Sequence, residues 1–520
     1  MRTPLLPPAL FVSLFTSLLA TAVAHAQEAE GVAPLTPAST TPMPVPEDLL
    51  QPHPGGLTAD QVGVRAMDTA FQAKQALENM RAAQARVDAA WAAFLPRVQG
   101  TARFTRLSNF TPPPLETGPT GIYGLYTTDP NFGQPGHLPG SAPVTVGASG
   151  YPSGNGNVFP YAEGNITIPL ILNQTLLQAS LTIPVSDYFT RINQNYTSAT
   201  RSADALKFDL GSTRATQLTN AKVAYYTWMQ MRGAIVVAVE ALNDQRVHLN
   251  DAKNQFTVGN ASRADVLRAE TNVAAAELAV VTAENQAELA ETQMRIAIHA
   301  PAEKKLVPGE GLDTPQGTFQ GNLKALVEEG LANRYEIKSA LANARAAQLT
   351  SDAQAAGRYP VVTAFGDAVE GNPNPRYFPA SQTWFPTWDV GVQAIWAPND
   401  VLTANGNSSD YQARAAALEA QAQVTREGIE VEVTQDFQLV RQYEYALEST
   451  RRELASAEEA YRVARELFNN GRGTSTTLTD AERDLANARI DALNARVNAR
   501  IARVRLEHAT GRDLRQAAPR

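Results

Sequence analysis

Cysteine is absent from this 520-residue chain, which excludes disulfides, thiolate zinc sites and cysteine nucleophiles. Histidine is scarce. The six, at 25, 53, 137, 248, 299 and 508, are scattered with no pair at metal-ligand spacing. Aromatic residues make up only 7%. Charge of neither sign dominates. The 44 basic against 52 acidic residues give a net charge of −8, so nothing favours nucleic acid as a partner. Beyond the N-terminus no apolar run reaches the roughly 18 residues that a spanning helix needs. No Gly-rich loop with a suitable Lys follows a strand, so no nucleotide site is legible. No catalytic constellation is legible either, and the chain reads as a non-enzyme without cofactor or resident metal. Proline is missing selectively. None of the 33 lies between Pro184 and Pro301, or between Pro398 and Pro519.

What is present begins with an export signal. Arg2 precedes an apolar run, Leu5 to Val23, and then Ala24-His25-Ala26. A basic start, an apolar middle and a small-x-small site read as a signal peptide over 1–26. Pro4, Pro7 and Pro8 disfavour an uncleaved spanning helix. Cleavage after Ala26 would leave Gln27 first, with no Cys to carry a lipid. The remainder is expected to be exported, either soluble or inserted as a β-barrel.

Residues 27–56, rich in Pro, Ala, Thr and Glu, read as an extended linker. A helical pattern opens at Leu57-Thr58 and runs to Phe94 before Pro96. Residues 97–107 then alternate, with Val98, Gly100, Ala102 and Phe104 set against Arg97, Gln99, Thr101, Arg103 and Thr105. This period of two marks a strand. A segment over about 108–160, dense in Gly, Pro, Asn and Tyr, reads as loop. Alternation returns over 175–185. The two proline-free windows are rich in Ala, Glu, Gln, Arg and Leu and read as long helices. Each is broken by glycine, at Gly259 and at Gly471 with Gly473.

The pattern occurs twice. Ala82–Val98 aligns without gaps on Ala346–Val362 with eight of seventeen positions identical, Gln84, Asp88, Pro96 and Val98 carrying the signal. Phe256-Thr-Val-Gly259 aligns on Phe468-Asn-Asn-Gly471, and Ile183-Pro-Val-Ser-Asp187 on Trp396-Ala-Pro-Asn-Asp400. Asp187 to Gly259 is 72 residues and Asp400 to Gly471 is 71. Two repeats are therefore expected, 57–300 and 322–510, joined by 301–321 and followed by a tail, 511–520. The second repeat is expected to carry strands at about 359–369 and 387–397. An extra stretch of about 50 residues separates the repeats in length. It falls in the first strand-to-strand connection.

At 1.5 Å per residue a 72-residue helix is roughly 108 Å long, which matches two shorter helices of about 57 and 52 Å stacked end to end. Each repeat would offer one long helix, two stacked short ones and a two-stranded hairpin, with the Gly turn at the opposite tip. Strands of about ten residues suit a tilted membrane-spanning β-segment. Four cannot close a barrel, and an open edge in lipid leaves backbone groups unsatisfied, so a homo-oligomer is implied. Two chains would give eight strands with a filled interior. Three give twelve, with room for a lumen. Tyr188, Phe189, Tyr359 and Trp396 at one end of the strands, and Tyr377, Phe378, Trp384, Phe385 and Trp388 at the other, fit interfacial girdles. They also read as ordinary core or loop aromatics.

With Leu95-Pro96 and Tyr359-Pro360, Asn333-Arg334-Tyr335-Glu336-Ile337, and the two tips in view, the chain resembles the TolC-like outer membrane efflux proteins over roughly 57–510. The tips read Val258-Gly-Asn-Ala-Ser-Arg-Ala-Asp265 and Gly471-Arg-Gly-Thr-Ser-Thr-Thr-Leu-Thr-Asp480. The resemblance implies a mainly α fold with a small β part, closed only as a homotrimer. A β-barrel would sit in outer-membrane lipid and a long α-barrel would cross the periplasm. The tips would dock on a periplasmic adaptor fed by an inner-membrane pump, in an efflux or type I secretion system. By the same resemblance Asp480, Asp265, Arg472 and Phe468 would line the pore entrance, and Val258, Gly259, Gly471 and Gly473 would mark the docking tips. The chain departs from the family pattern at Thr477, where an acid is common, at Gly473 in place of a gating Arg, and at Phe468 in place of a Tyr. Taken alone, Asp480 also reads as a solvated acid near a helix start, and the two glycines as left-handed helix ends. A periplasmic coiled-coil scaffold or adhesin would explain the long helices but not the four amphipathic strands. The cargo stays open. Seven Met, no Cys and no His cluster give no metal signature.

Overall fold

The computed structural model describes residues 43–46, 49–109, 145–146, 152–153, 171–301, 306–313, 317, 319, 321–378 and 380–513. The expected signal peptide, linker residues 27–42 and 47–48, most of the 108–160 segment, parts of 301–321 and the last residues of the tail lie outside them. The chain divides into two compact units.

The larger unit comprises Leu50–Gln230, Leu289–Ser449 and Asn494–Arg520. Its first helix, α1 (Ala59–Thr69), is opened by a capping box. The Thr58 hydroxyl accepts from the Gln61 N–H, and the Gln61 side chain accepts from the Thr58 N–H, each at 3.3 Å. The expectation of one continuous helix to Phe94 is corrected here. Ala70 takes extended angles (φ −59°, ψ 133°) and a second helix, α2 (Phe71–Ala92), starts afresh. The same break recurs between α5 (Leu323–Asn333) and α6 (Tyr335–Ala355), where Arg334 has φ −57° and ψ 130°.

Arg334 supplies a physical reason for the second break. Its buried guanidinium donates to Glu336 at 2.9 and 3.1 Å, to Glu432 at 3.2 Å and to the carbonyl of His508 at 3.2 Å. Glu336 accepts in turn from Ser212 at 2.7 Å. Leaving the helical path lets one side chain tie the start of α6 to mid-helix Glu432 and to the backbone at His508. The local core packs Leu326, Ile337, Ile429, Val433, Val440, Ala502, Leu506 and Ala509. Tyr335 stacks on Phe208 and covers Gly211, where a Cβ would meet its ring at 2.6 Å.

Four strands form one antiparallel sheet: β1 (Arg97–Arg106), β2 (Asn173–Ile183), β3 (Val361–Asn372) and β4 (Phe385–Ile395), in that spatial order. A separate two-residue ladder pairs Thr145–Val146 with Pro152–Ser153. β2 lies two residues earlier than the expected 175–185, because Pro184 cannot continue the ladder. One register line runs Val98–Leu181–Gly366–Val390. Along it the period of two puts Val98, Phe104, Leu177, Leu181, Trp388, Val390 and Val392 on one face, all exposed in the single chain, Trp388 at 76% and Val390 at 73%. The other face carries most of the polar side chains, with Leu176, Phe365 and Val369 among them. Gln178 donates to Asp367 at 3.2 Å, Ser180 donates to the same carboxylate, and Arg376 pairs with Asp389 at 2.5 Å. β1 and β4 are the sheet edges.

After Pro184 a turn of helix (Val185–Asp187) and a π-helical turn (Tyr188–Ile192) lead into α3 (Asn193–Thr257). The remaining helices are α4 (Arg263–Ala297), α7 (Pro398–Asn469) and α8 (Ser475–Ala509). Among the described residues no helix is long and apolar enough to cross a membrane.

The smaller unit comprises Met1–Leu49, Met231–Glu288 and Thr450–Leu493. Its core packs Val239, Leu242, Leu249, Ala252, Val266, Ala269, Val273, Val280, Ala464, Phe468 and Leu478. Alanine is frequent because small side chains let helices approach closely, while Leu and Val fill the remaining space. The described N-terminal residues lie against α3. Asn243 accepts from the Met43 N–H and donates to the Met43 carbonyl, both at 2.7 Å, and Arg232 donates to the Leu49 carbonyl at 2.8 Å.

Candidate functional site

The two Gly turns of the smaller unit are built alike. α3 ends with the Gly259 N–H donating to the Phe256 carbonyl at 3.1 Å and Asn260 to Gln255 at 2.9 Å. α7 ends with Gly471 donating to Phe468 at 3.0 Å and Arg472 to Leu467 at 2.9 Å. This double pattern needs a left-handed residue, and Gly259 (φ 81°) and Gly471 (φ 67°) supply it without a Cβ penalty. The turns touch. Gln255 donates to the Asn469 carbonyl at 2.7 Å, and Arg268 to the Thr476 hydroxyl at 3.3 Å. Gly473 folds back so closely that a Cβ would lie 3.0 Å from the Phe468 nitrogen.

The helices leaving the turns are capped in parallel. Ser262 caps α4, its hydroxyl accepting from the Asp265 N–H at 3.2 Å, while the Asp265 carboxylate accepts from the Ser262 N–H at 3.0 Å and hydroxyl at 2.7 Å. Those hydrogen bonds hold the Asp265 carboxyl below its usual range. In the second turn Thr474 takes the capping role and accepts from the Thr477 N–H at 3.1 Å. Thr477 thus stands where Asp265 stands in the first turn.

The sequence-derived residues separate into three environments. Val258, Gly259, Gly471 and Arg472 lie exposed at the turns. Asp265 is half-buried in its capping box and lies 3.6 Å from Arg268. Asp480 stands on an exposed face of α8, 55% exposed, 3.4 Å from Arg483, which also approaches Asp484 at 3.7 Å. Phe468 is apart from these. It is 4% exposed and packs edge-on against His248 at 5.5 Å between ring centres. In the protomer it is a core residue that seats the second turn.

Sequence reading missed the two arginines. Asp265–Arg268 and Asp480–Arg483 are both three apart on a helix, the spacing at which opposite charges meet. Each acid therefore carries its own counter-charge. It also missed the cluster beneath the turns, where His248, Glu482 and Ser475 come together in the core. Among the described residues no group of three or more His, Cys, Asp or Glu could hold a metal ion.

Residues 171–298 and 326–512 match the sequence profile of the family described as outer membrane efflux protein. The chain belongs to that family. No curated protein sequence matches it. Solved structures of outer membrane channels share its fold. The outer-membrane channel OprN is 19% identical with a TM-score of 0.67, over 87% of this chain and 89% of that one. The CmeC outer membrane channel of Campylobacter jejuni is 14% identical, TM-score 0.66, covering 88% of each chain. The open MtrE outer membrane channel of Neisseria gonorrhoeae is 16% identical, TM-score 0.64, over 87% of this chain and 88% of that one. At such identities the likeness concerns the fold.

Proposed function

We propose that three copies of this chain form the passive outer-membrane exit duct of a tripartite efflux or type I secretion system. A periplasmic adaptor and an inner-membrane pump would feed it. The observation that carries the proposal is the sheet. It has one largely apolar face exposed in the single chain, a second face that carries most of its polar side chains, and two edges, β1 and β4, with no partner strand among the described residues. An apolar outer face suits lipid, a polar inner face suits a water-filled lumen, and edges in lipid must be paired. Three copies would give twelve strands.

Internal duplication fits the same reading. α1 and α5 each have 11 residues, α2 and α6 have 22 and 21, and α4 and α8 have 35 each. Two similar repeats per chain would let three chains wall a tube with six similar staves.

The exposed turns around Val258, Gly259, Gly471 and Gly473 are the proposed adaptor contacts. Asp480, Asp265 and Arg472 are the proposed entrance groups, with Phe468 as the buried support for the second turn. The protein itself would supply no energy, so transport depends on the pump. A periplasmic scaffold would leave the apolar sheet face uncovered.

Native mass measurement in detergent tests closure directly. A trimer supports the proposal and a monodisperse monomer overturns it. Affinity capture of the protein from cross-linked cells tests the system. Recovery of an adaptor and an inner-membrane pump, together with loss of export on deletion, is expected. Unchanged export in the deletion strain would refute the duct.

A further inference from the structure

Directly beneath the two turns, the core of the smaller unit contains a string of polar side chains. His248 on α3 is 1% exposed and Glu482 on α8 is 3% exposed. His248 Nδ1 lies 2.9 Å from Glu482 Oε2, and Gln245 Nε2 donates to the same oxygen at 3.0 Å. On the other side His248 Nε2 lies 3.3 Å from the Ser475 hydroxyl. Phe468, from the end of α7, packs on the imidazole. The cluster therefore joins the end of α3, the end of α7 and the start of α8.

Among the described residues two of its oxygens have no partner: Glu482 Oε1 and Gln245 Oε1. Both are acceptors when Glu482 is ionised, and a buried acceptor without a donor is costly. They belong to the two groups whose other arms already bond to each other. An amide and a carboxylic acid form a two-bond ring, N–H to one acid oxygen and the acid O–H to the amide oxygen. One proton on Glu482 Oε1 would thus give both orphans a partner.

The rest of the string then closes without any charge. The Ser475 O–H donates to His248 Nε2, His248 Nδ1–H donates to Glu482 Oε2, and imidazole and carboxyl are both neutral. A charged imidazolium–carboxylate pair would satisfy the His248–Glu482 contact but leave both orphan oxygens as they are.

We infer that Glu482 is held protonated in the folded protein, and that this proton acts as a pH-sensitive latch on the two turns. Removing it would place a carboxylate in the core with too few donors, and opening the turns to water would relieve it.

The surroundings agree. Burial pushes the Glu482 carboxyl above its usual range and outweighs the opposing pull of His248 and Gln245, and Asp244 adds to the rise. The other charges facing the cluster are largely engaged with one another. On α3, Asp244 pairs with Arg489 at 2.7 Å, and Asp251 with Arg465 of α7 at 3.0 Å. On α4, Asp265 is occupied by Ser262. Tyr461 of α7 is half-buried and its hydroxyl is pushed upward by desolvation, so it stays neutral.

The sign follows from linkage. A carboxyl raised on folding is neutral in the closed turns over a range where the open turns have already lost the proton. Rising pH therefore favours opening, by at most a factor of ten per pH unit for one proton, until the folded group itself ionises.

The test is hydrogen exchange of peptides spanning 245–262 and 465–485 in the detergent-solubilised protein, corrected for intrinsic exchange, from about pH 5 to about pH 9. Wild-type protection should fall with pH by up to about tenfold per unit. In Glu482→Gln, whose amide keeps the ring with Gln245 and carries no proton to lose, protection should be flat. Infrared spectra should show a protonated-carboxyl band in the wild type at neutral pH that this variant lacks. Equal pH dependence in both proteins, or no lost band, overturns the inference. Should the variant not assemble, the wild-type series alone decides it, since pH-independent protection is incompatible with the latch. A protein whose turns titrate but recruit no adaptor would keep this inference and refute the docking role proposed above.

Discussion

Asp436 offers a direct test of how the larger unit handles buried charge. It lies on α7 with only 8% of its surface exposed, one turn from Glu432 and facing Arg334, Arg505 and His508. Burial first, and Glu432 second, push its carboxyl from 3.8 up to about 6. In the unfolded chain it would titrate near its ordinary value. At about 1.36 kcal/mol per pKa unit, that difference costs the folded state on the order of 3 kcal/mol once the group is ionised. Below about pH 4 both states hold the proton and the cost vanishes. Between about pH 4 and pH 6 the unfolded chain releases its proton first, so stability declines; above that the cost is complete. Asp436→Asn keeps the shape and removes the titration. Thermal unfolding in detergent, followed by far-UV circular dichroism, should show the variant melting a few degrees higher near pH 8 and equal to wild type near pH 4. A variant that melts lower near pH 8 would refute the reasoning. It would mean that Arg334, Arg505 and His508 stabilise the charge more than burial penalises it.

Arg334→Ala should destabilise the larger unit by about 3 kcal/mol, the low end for breaking a buried pair because its carboxylate partners are about one-third exposed; the same melting assay reads it, with Glu432→Gln expected to recover part of the loss. Gly471→Ala forces a Cβ into a left-handed turn and should cost about 1–2 kcal/mol, seen as faster hydrogen exchange confined to residues around the second turn. Val390→Arg puts a charge on the apolar sheet face and should cost about 2–4 kcal/mol, with loss of assembled protein from the membrane fraction, whereas Gln393→Arg on the opposite face should assemble. Asp480→Asn should reduce cation selectivity in planar-bilayer recordings by exposing Arg483, and unchanged selectivity would place Asp480 away from the conduction path.

Periodicity and punctuation made most of the fold legible. The strands could be read because their side chains alternate between two environments, and the turns because glycine follows an Ala-rich helix without proline. The breaks at Ala70 and Arg334 could not. Neither residue is a helix breaker by propensity, and at Arg334 the cause lies in partners 98 and 174 positions away in the chain. Pairing distance hid the core cluster in the same way, since His248 and Glu482 are 234 residues apart and each alone reads as ordinary. At the turns, helix spacing could have located Arg268 and Arg483 beside their acids. It carries no information on whether Phe468 faces solvent or core. That depended on a ring contact with His248 from another helix.

Every neighbouring pair of strands in the sheet is antiparallel, and there are four of them, so β1 and β4 point in opposite directions. An even count has a consequence for assembly. The first strand of any added copy meets the last strand of its predecessor in the same antiparallel sense as every pair inside a chain. The seam is then chemically of one kind with the weave, and it reads the same for two, three or four copies. Nothing in strand parity counts subunits. In the proposed oligomer, ring size would instead follow from the curvature and stagger of the sheet and from how helices of neighbouring copies pack, so a substitution on an alanine-lined helix face could change the stoichiometry while leaving each chain's four strands paired.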